Sequence, residues 1–143
     1  MPKVSMSTKL SVPADTVWQT VGGFNALPDW HPAVEKSEIE GEGGSIGTLR
    51  RLSLFGGGEI VERLENLDKD ARRYSYSILQ GPLPVANYQA TIRVVEDADG
   101  GGCTVEWSSE FDAEGGPEAD AVAAIEGIYK AGLDNLKRMF GTD

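Results

Sequence analysis

The chain has 143 residues, enough for one domain, residues 1–143, with a real hydrophobic core and no need of disulfides or metal. Hydrophobic residues make up 40% and charged residues 25%, the balance of an ordinary globular protein. With 23 Asp and Glu against 13 Lys and Arg the formal charge is −10, which argues against nucleic acid and anionic membranes as partners, since both call for basic patches.

No apolar run approaches the length of a membrane span, and the opening MPKVSMSTKL lacks the apolar core of a secretory signal. The single cysteine, Cys103, excludes an internal disulfide, and with the single histidine, His31, it cannot build a Cys/His zinc site. A reducing cytoplasm suits these features, and neither a metal nor a cofactor is expected.

From Lys3 to Ser11 the row Val4, Met6, Thr8, Leu10 alternates with Lys3, Ser5, Ser7, Lys9, which predicts a half-buried strand. SVPADTVWQTVGGF then predicts a helix, with Pro13 at its first position, Asp15 near its positive end and Gly22-Gly23 stopping it. A short helical turn is expected over Phe24 to Leu27, ended by Pro28. Six strands follow, over Val34–Glu40, Gly47–Phe55, Glu59–Leu67, Arg72–Gln80, Ala86–Glu96 and Gly102–Asp112. The turns GEGGSIG, FGGG, LDKDA, GPLP and DADGGG separate them, and such short connections call for an antiparallel meander.

A long helix from Pro117 to Phe140 closes the chain. Val122, Ile125, Tyr129, Leu133, Leu136 and Phe140 form its apolar stripe, with Glu126, Lys130, Asp134 and Lys137 opposite. A second edge of the stripe is small: Ala121, Ala124, Ile128 and Gly132. Gly132 costs about 1 kcal/mol of helix propensity relative to Ala, so either a neighbour approaches closely or a space is left open. The whole pattern is α+β: a seven-stranded antiparallel sheet wrapped around a long C-terminal helix, with two short helices after the first strand. Sheet and helix that touch at their ends and diverge between them enclose a pocket.

At this point the sequence resembles the START/Bet v1-like (SRPBCC) superfamily with its helix-grip fold, and within it the bacterial polyketide cyclase/dehydrase-type branch. The resemblance rests on LPDWHPAVEKSEIEGEGGSIGTLRRL, GGGEIVERLENLDKDARRYSYSILQGPLPVANYQATIRV and TVEWSSEFD. Within these runs, Gly47-x-x-Arg50, Glu62-Arg63-Leu64, Leu67-Asp68, Asn87-Tyr88 and Trp107 fall at the branch's intervals. A more distant similarity reaches the plant abscisic-acid receptors through ERLENLD and NY. Where those receptors carry a Ser-Gly-Leu-Pro-Ala gate this chain has LFGGGE, and where they carry a His-Arg-Leu latch it has LPV, so hormone reception is not expected. A hinged loop at Gly56-Gly57-Gly58 is retained. The resemblance implies the fold and a pocket, while the superfamily's carriers, receptors, cyclases and lyases leave the chemistry open.

On the fourth strand Ile60, Glu62 and Leu64 form the more apolar row, which should face inward; an inward carboxylate needs a partner, so Glu62 is either a polar anchor of the pocket or a residue at a solvated strand end. The third strand has two possible phases, Leu49, Arg51, Ser53, Phe55 or Arg50, Leu52, Leu54; the second has the cleaner apolar tail and would set Arg50 opposite Glu62, the alternative being a surface arginine in an exposed pair. Tyr76, Tyr88 and Trp107 share rows with core residues, yet three aromatics able to hydrogen-bond in one cavity suit a ligand with an apolar body and few polar groups. His31 lacks a nucleophile motif, ligand set or phosphate loop beside it, so it reads first as loop architecture, with Trp30 covering the cavity and Pro32 fixing the chain. Cys103 reads as an inert strand residue.

The expected activity is binding of a small, largely hydrophobic molecule, aromatic or isoprenoid/polyketide-like. The expected contacts are Trp30, Arg50, Leu52, Leu54, Glu62, Tyr76 and Ile78, together with Tyr88, Trp107, Ala124, Ile125, Ile128 and Gly132. The alternative is a cyclase/aromatase or lyase using the same cavity, with Glu62, His31, Tyr76 or Tyr88 moving protons. A third is an interaction module presenting the LFGGG and GPLPV loops. The expected partner is a small hydrophobic molecule, with a weak homodimer within reach of the composition.

Overall fold

A computed structural model of the chain describes residues 2–41, 45–98 and 101–141, so parts of the expected GEGGSIG and DADGGG turns lie outside the described residues. In chain order the elements are β1 (Lys3–Leu10), α1 (Ala14–Val21), α2 (Leu27–Trp30), β2 (Val34–Glu40), β3 (Leu49–Leu54) and β4 (Glu59–Asp68). β5 (Arg73–Gln80), β6 (Val85–Glu96), β7 (Cys103–Ala113) and α3 (Glu118–Phe140) complete it. The seven strands form one antiparallel sheet in the order β1-β7-β6-β5-β4-β3-β2: β2 to β7 follow the meander expected from the turns, and β1 pairs with β7 to give the helix-grip arrangement that the resemblance implies.

The period-two rows explain which face is covered. On β1, Val4, Thr8 and Leu10 are buried while Lys3, Ser5, Ser7 and Lys9 face water. Pairing β1 with β7 sets Met6 beside Trp107 and Leu10 beside Cys103. On α3 the buried positions Ala121, Ile125, Tyr129, Leu133 and Leu136 recur every three or four residues, so one face docks on the sheet. Each large apolar side chain removed from water contributes about 1.5–3 kcal/mol. In its close approaches α3 meets β1, β7 and α2. No helix among the described residues is long and apolar enough to cross a membrane.

Two local expectations are corrected. The turn expected over Phe24 to Leu27 is instead α2 at Leu27–Trp30, and Pro28 sits in its first turn rather than ending it. The missing amide hydrogen of proline is no loss there, because the first amides of a helix have no partner inside it. Pro13 and Pro117 likewise cap α1 and α3 from extended backbone, φ −61° and −63°, instead of lying inside them.

The sheet is bent and then split. Irregular register in β4 at Val61/Glu62 and Leu64/Asn66, and in β6 between Ala86 and Gln89, where Asn87 has φ 54°, adds curvature. The β5–β6 ladder runs from Arg73–Arg93 to Ser77–Gln89 and stops there. Beyond it β5 continues along β4 to Gln80, and β6 begins along β7 at Val85, so the two strands diverge around the Gly81–Pro84 turn.

Candidate functional site: an apolar cavity with one carboxylate

A cavity of about 180 Å³ lies between α3 and the β3–β5 half of the sheet. Leu52 and Leu54 of β3, Glu62 of β4, Tyr76 and Ile78 of β5, Tyr88 of β6, Trp107 of β7, and Ile125 and Ile128 of α3 line it. His31, which follows α2, is also in the wall. The structure therefore brings together nine of the thirteen residues named as ligand contacts, and all four named for proton transfer.

Trp30, Arg50, Ala124 and Gly132 are not in the wall. A Cβ on Gly132 would lie 2.8 Å from His31 Cδ2, 2.9 Å from Trp30 Cζ3 and 3.0 Å from Trp107 Cζ3. Three rings press on the bare helix backbone at this point, so the small residue permits close approach and leaves no open space. Trp30 stands behind the wall, 5.4 Å from the Trp107 ring, and its carbonyl accepts a hydrogen bond from Asn135 Nδ2 at 2.8 Å. It braces the cavity rather than covering it. Ala124 is half-buried away from the wall.

Arg50 sits one step back, directly across the β3–β4 ladder from Glu62. Its Nε donates to Glu62 Oε1 at 2.7 Å, and Nη2 lies 2.7 Å from the same oxygen. Nη1 donates to the Phe24 carbonyl at 2.8 Å, and the guanidinium lies over Phe24, 4.2 Å from the ring centroid. Burial works against the Arg50 charge, but the attraction of Glu62, helped by Tyr74 and Tyr76, exceeds it and holds the group cationic. Burial pushes the Glu62 carboxyl upward, and Arg50 offsets this only in part. The two residues thus shift toward different protonation preferences; the short Nε contact fits an ionised, clasped carboxylate.

His31 bonds through both ring nitrogens. The Ile128 carbonyl can only accept, so Nε2 donates to it at 2.8 Å; the Ala33 amide can only donate, so Nδ1 accepts at 3.2 Å. That is the neutral ring, and burial lowers its pKa further, against the pull of the Ile128 carbonyl and with help from Arg50. To take up a proton, His31 would have to give up the Ala33 bond.

The aromatic side of the wall is bound to itself. Trp107 Nε1 donates to the Tyr76 hydroxyl at 3.0 Å, and the Tyr88 and Tyr129 hydroxyls are hydrogen-bonded to each other. Trp107 stacks on Tyr129 with centroids 4.2 Å apart and planes 18° from parallel. Burial raises the pKa of all three tyrosines, so they keep their protons. Sequence reasoning placed Tyr129 in the helix stripe without its hydroxyl link. It also missed Leu27, Ala33, Val34, Ile60 and Leu83 in the wall. Ile60 was readable from the inward row of β4, whereas Leu83 lies in a turn with no period to reveal it.

The β3–β4 loop follows Leu54, which is in the wall. Gly56, Gly57 and Gly58 have φ of 87°, 98° and 105°, a run that residues with a Cβ rarely adopt. Leu54 faces the cavity while Phe55 is 62% exposed. A Cβ on Gly58 would touch Pro82 at 3.8 Å, so this loop meets the β5–β6 turn. Ile78, Leu83 and Tyr88 line both the cavity and a groove of about 680 Å³ outside the split between β5 and β6.

A curved antiparallel sheet gripping one long helix over such a cavity defines the Bet v1-like class of proteins. The chain belongs to the family described as polyketide cyclase / dehydrase and lipid transport, which it matches over residues 1–141. It is similar to the protein XoxI of Bacillus cereus, with a TM-score of 0.92 and 36% identity, covering 98% of this chain and 96% of that one. Among curated proteins it is 31% identical over 134 residues to pathogenesis-related protein 2 of Petroselinum crispum, covering 85% of this chain and 78% of that protein. It is also 23% identical over 139 residues to the abscisic acid receptor PYL2 of Arabidopsis thaliana, covering 92% and 73% respectively.

Proposed function

We propose that the protein binds a small, largely apolar molecule in the cavity between α3 and β3–β5, with the cytoplasm as its place of action and Cys103 as a buried free thiol. The observation that carries this reading is the wall itself. It is apolar over most of its area, and its histidine, tyrosine and indole groups are already bonded within the protein, so they favour holding a ligand over transforming it. A volume near 180 Å³ suits a body of one to two rings, since a cavity of roughly 150 Å³ accepts benzene. A cyclase or dehydrase reading draws on one feature, Glu62, a carboxyl in the wall with its pKa raised by burial. Native mass spectrometry of protein purified from its own host, followed by incubation with the co-purified compound, tests both. A compound carried and returned unchanged supports binding, and its conversion on the protein supports the enzyme.

A further inference from the structure

Among the lining residues Glu62 alone carries a charge, and the cation that balances it is withheld. The Arg50 side chain is fully buried and lies outside the wall: Nε and Nη2 both sit 2.7 Å from Glu62 Oε1, and Nη1 donates to the Phe24 carbonyl and the Tyr74 hydroxyl. An ionised carboxylate accepts about four hydrogen bonds and donates none. Both Arg50 contacts fall on Oε1, so neither uses Oε2. The other polar groups of the wall, His31, Tyr76, Tyr88 and Trp107, are bonded within the protein. An incoming polar head therefore meets an acceptor with spare capacity and no cation in the wall.

We propose that the cavity selects a small molecule whose polar head is a neutral hydrogen-bond donor, such as an amide or phenol, read by Glu62, and that it rejects carboxylates. The proposal rests on the binding reading above and goes beyond it by naming the head group. A carboxylate in the cavity would face Glu62 at close range with its own charge stripped of water, which is costly without a paired cation. A neutral donor gains a hydrogen bond to a charged acceptor instead. Discrimination of this kind comes as much from repelling the wrong ligand as from holding the right one.

Benzamide and benzoate test it, because they match in size and shape and differ in the head; toluene serves as the apolar control. Binding is followed by NMR titration of the wild-type protein near pH 7, reading the Trp107 indole and the Ile78, Ile125 and Ile128 methyl groups. Benzamide is expected to bind about tenfold or more tightly than benzoate. In E62Q that preference is expected to shrink severalfold or reverse, because Arg50 is left uncompensated. Equal or tighter binding of benzoate by the wild type overturns the head-group proposal, while toluene or benzamide at those methyls leaves the cavity reading intact. A preference undiminished in E62Q overturns it as well. If none of the three probes perturbs the lining residues, both readings fall. Should E62Q not fold, the wild-type comparison decides alone.

Discussion

Gly132 and His31 are in contact through the absence of a side chain: a Cβ on Gly132 would stand 2.8 Å from His31 Cδ2. The same ring donates from Nε2 to the carbonyl of Ile128, one turn earlier on α3. The helix and the loop after α2 are thus joined at one point, which fixes the wall between them.

Gly132→Ala gains about 1 kcal/mol of helix propensity and loses about 1–3 kcal/mol by crowding three rings. A net loss of stability is expected in urea unfolding, and Gly132→Leu should abolish folding. A gain of about 1 kcal/mol in the alanine variant would mean that the rings do not press on the helix.

Arg50 and Glu62 form the buried ion pair, and removing either partner strands the other charge at a cost of about 3–5 kcal/mol. Arg50→Met combined with Glu62→Leu should cost clearly less than the two single losses added together. A double-mutant cycle on unfolding free energy measures this coupling. Simple additivity would show that the pair is not energetically joined.

The pH dependence follows from His31 and Glu62, which act in opposite senses. Burial lowers the His31 pKa below its ordinary 6.5, so the folded state binds fewer protons than the unfolded chain. Stability from His31 is complete above pH 6.5 and is lost as pH falls through the lowered value. Glu62 is raised by burial, so its contribution is complete below the ordinary 4.5 and falls as pH rises through the folded value. His31→Gln should therefore lose less stability than the wild type between about pH 7 and about pH 5. An equal loss in both proteins would assign the acid sensitivity to other groups.

How much of this was legible before the fold was known differs residue by residue. The rows containing Val4 and Leu10, Arg50 and Leu52, and Glu62 and Leu64 showed which faces turn inward, because strand alternation records burial directly. The pairing of Arg50 with Glu62 followed from the charges those rows carried. Gly132 was not legible, since a small residue on a helix face serves an open space and a close neighbour equally well. Only the positions of Trp30, His31 and Trp107 separate the two. Pro28 was ambiguous for a local reason: proline ends one helix and begins another with the same fixed φ. The bond between Tyr88 and Tyr129 joins residues 41 positions apart, and no periodicity encodes it.

Tyr129→Phe keeps the stacking surface against Trp107 and removes the hydroxyl that meets Tyr88. The expected loss is about 1–3 kcal/mol, the cost of a buried polar group left unpaired. It is read from urea unfolding, with near-UV circular dichroism unchanged because the rings stay in place. A neutral substitution would show that the hydroxyl link contributes nothing to the fold.

The central claim, that the space between α3 and β3–β5 takes up an apolar molecule, is tested most directly by titrating toluene into methyl-labelled protein. Ile78, Ile125, Ile128 and Leu52 line the cavity, whereas Ile46 is 67% exposed and outside its wall. Saturable shifts at these and the other lining methyls are predicted, with Ile46 and the amides of Asn87 and Gln89 in the outer groove unmoved. Shifts at Ile46 or at the groove amides, with the lining methyls silent, would contradict the claim.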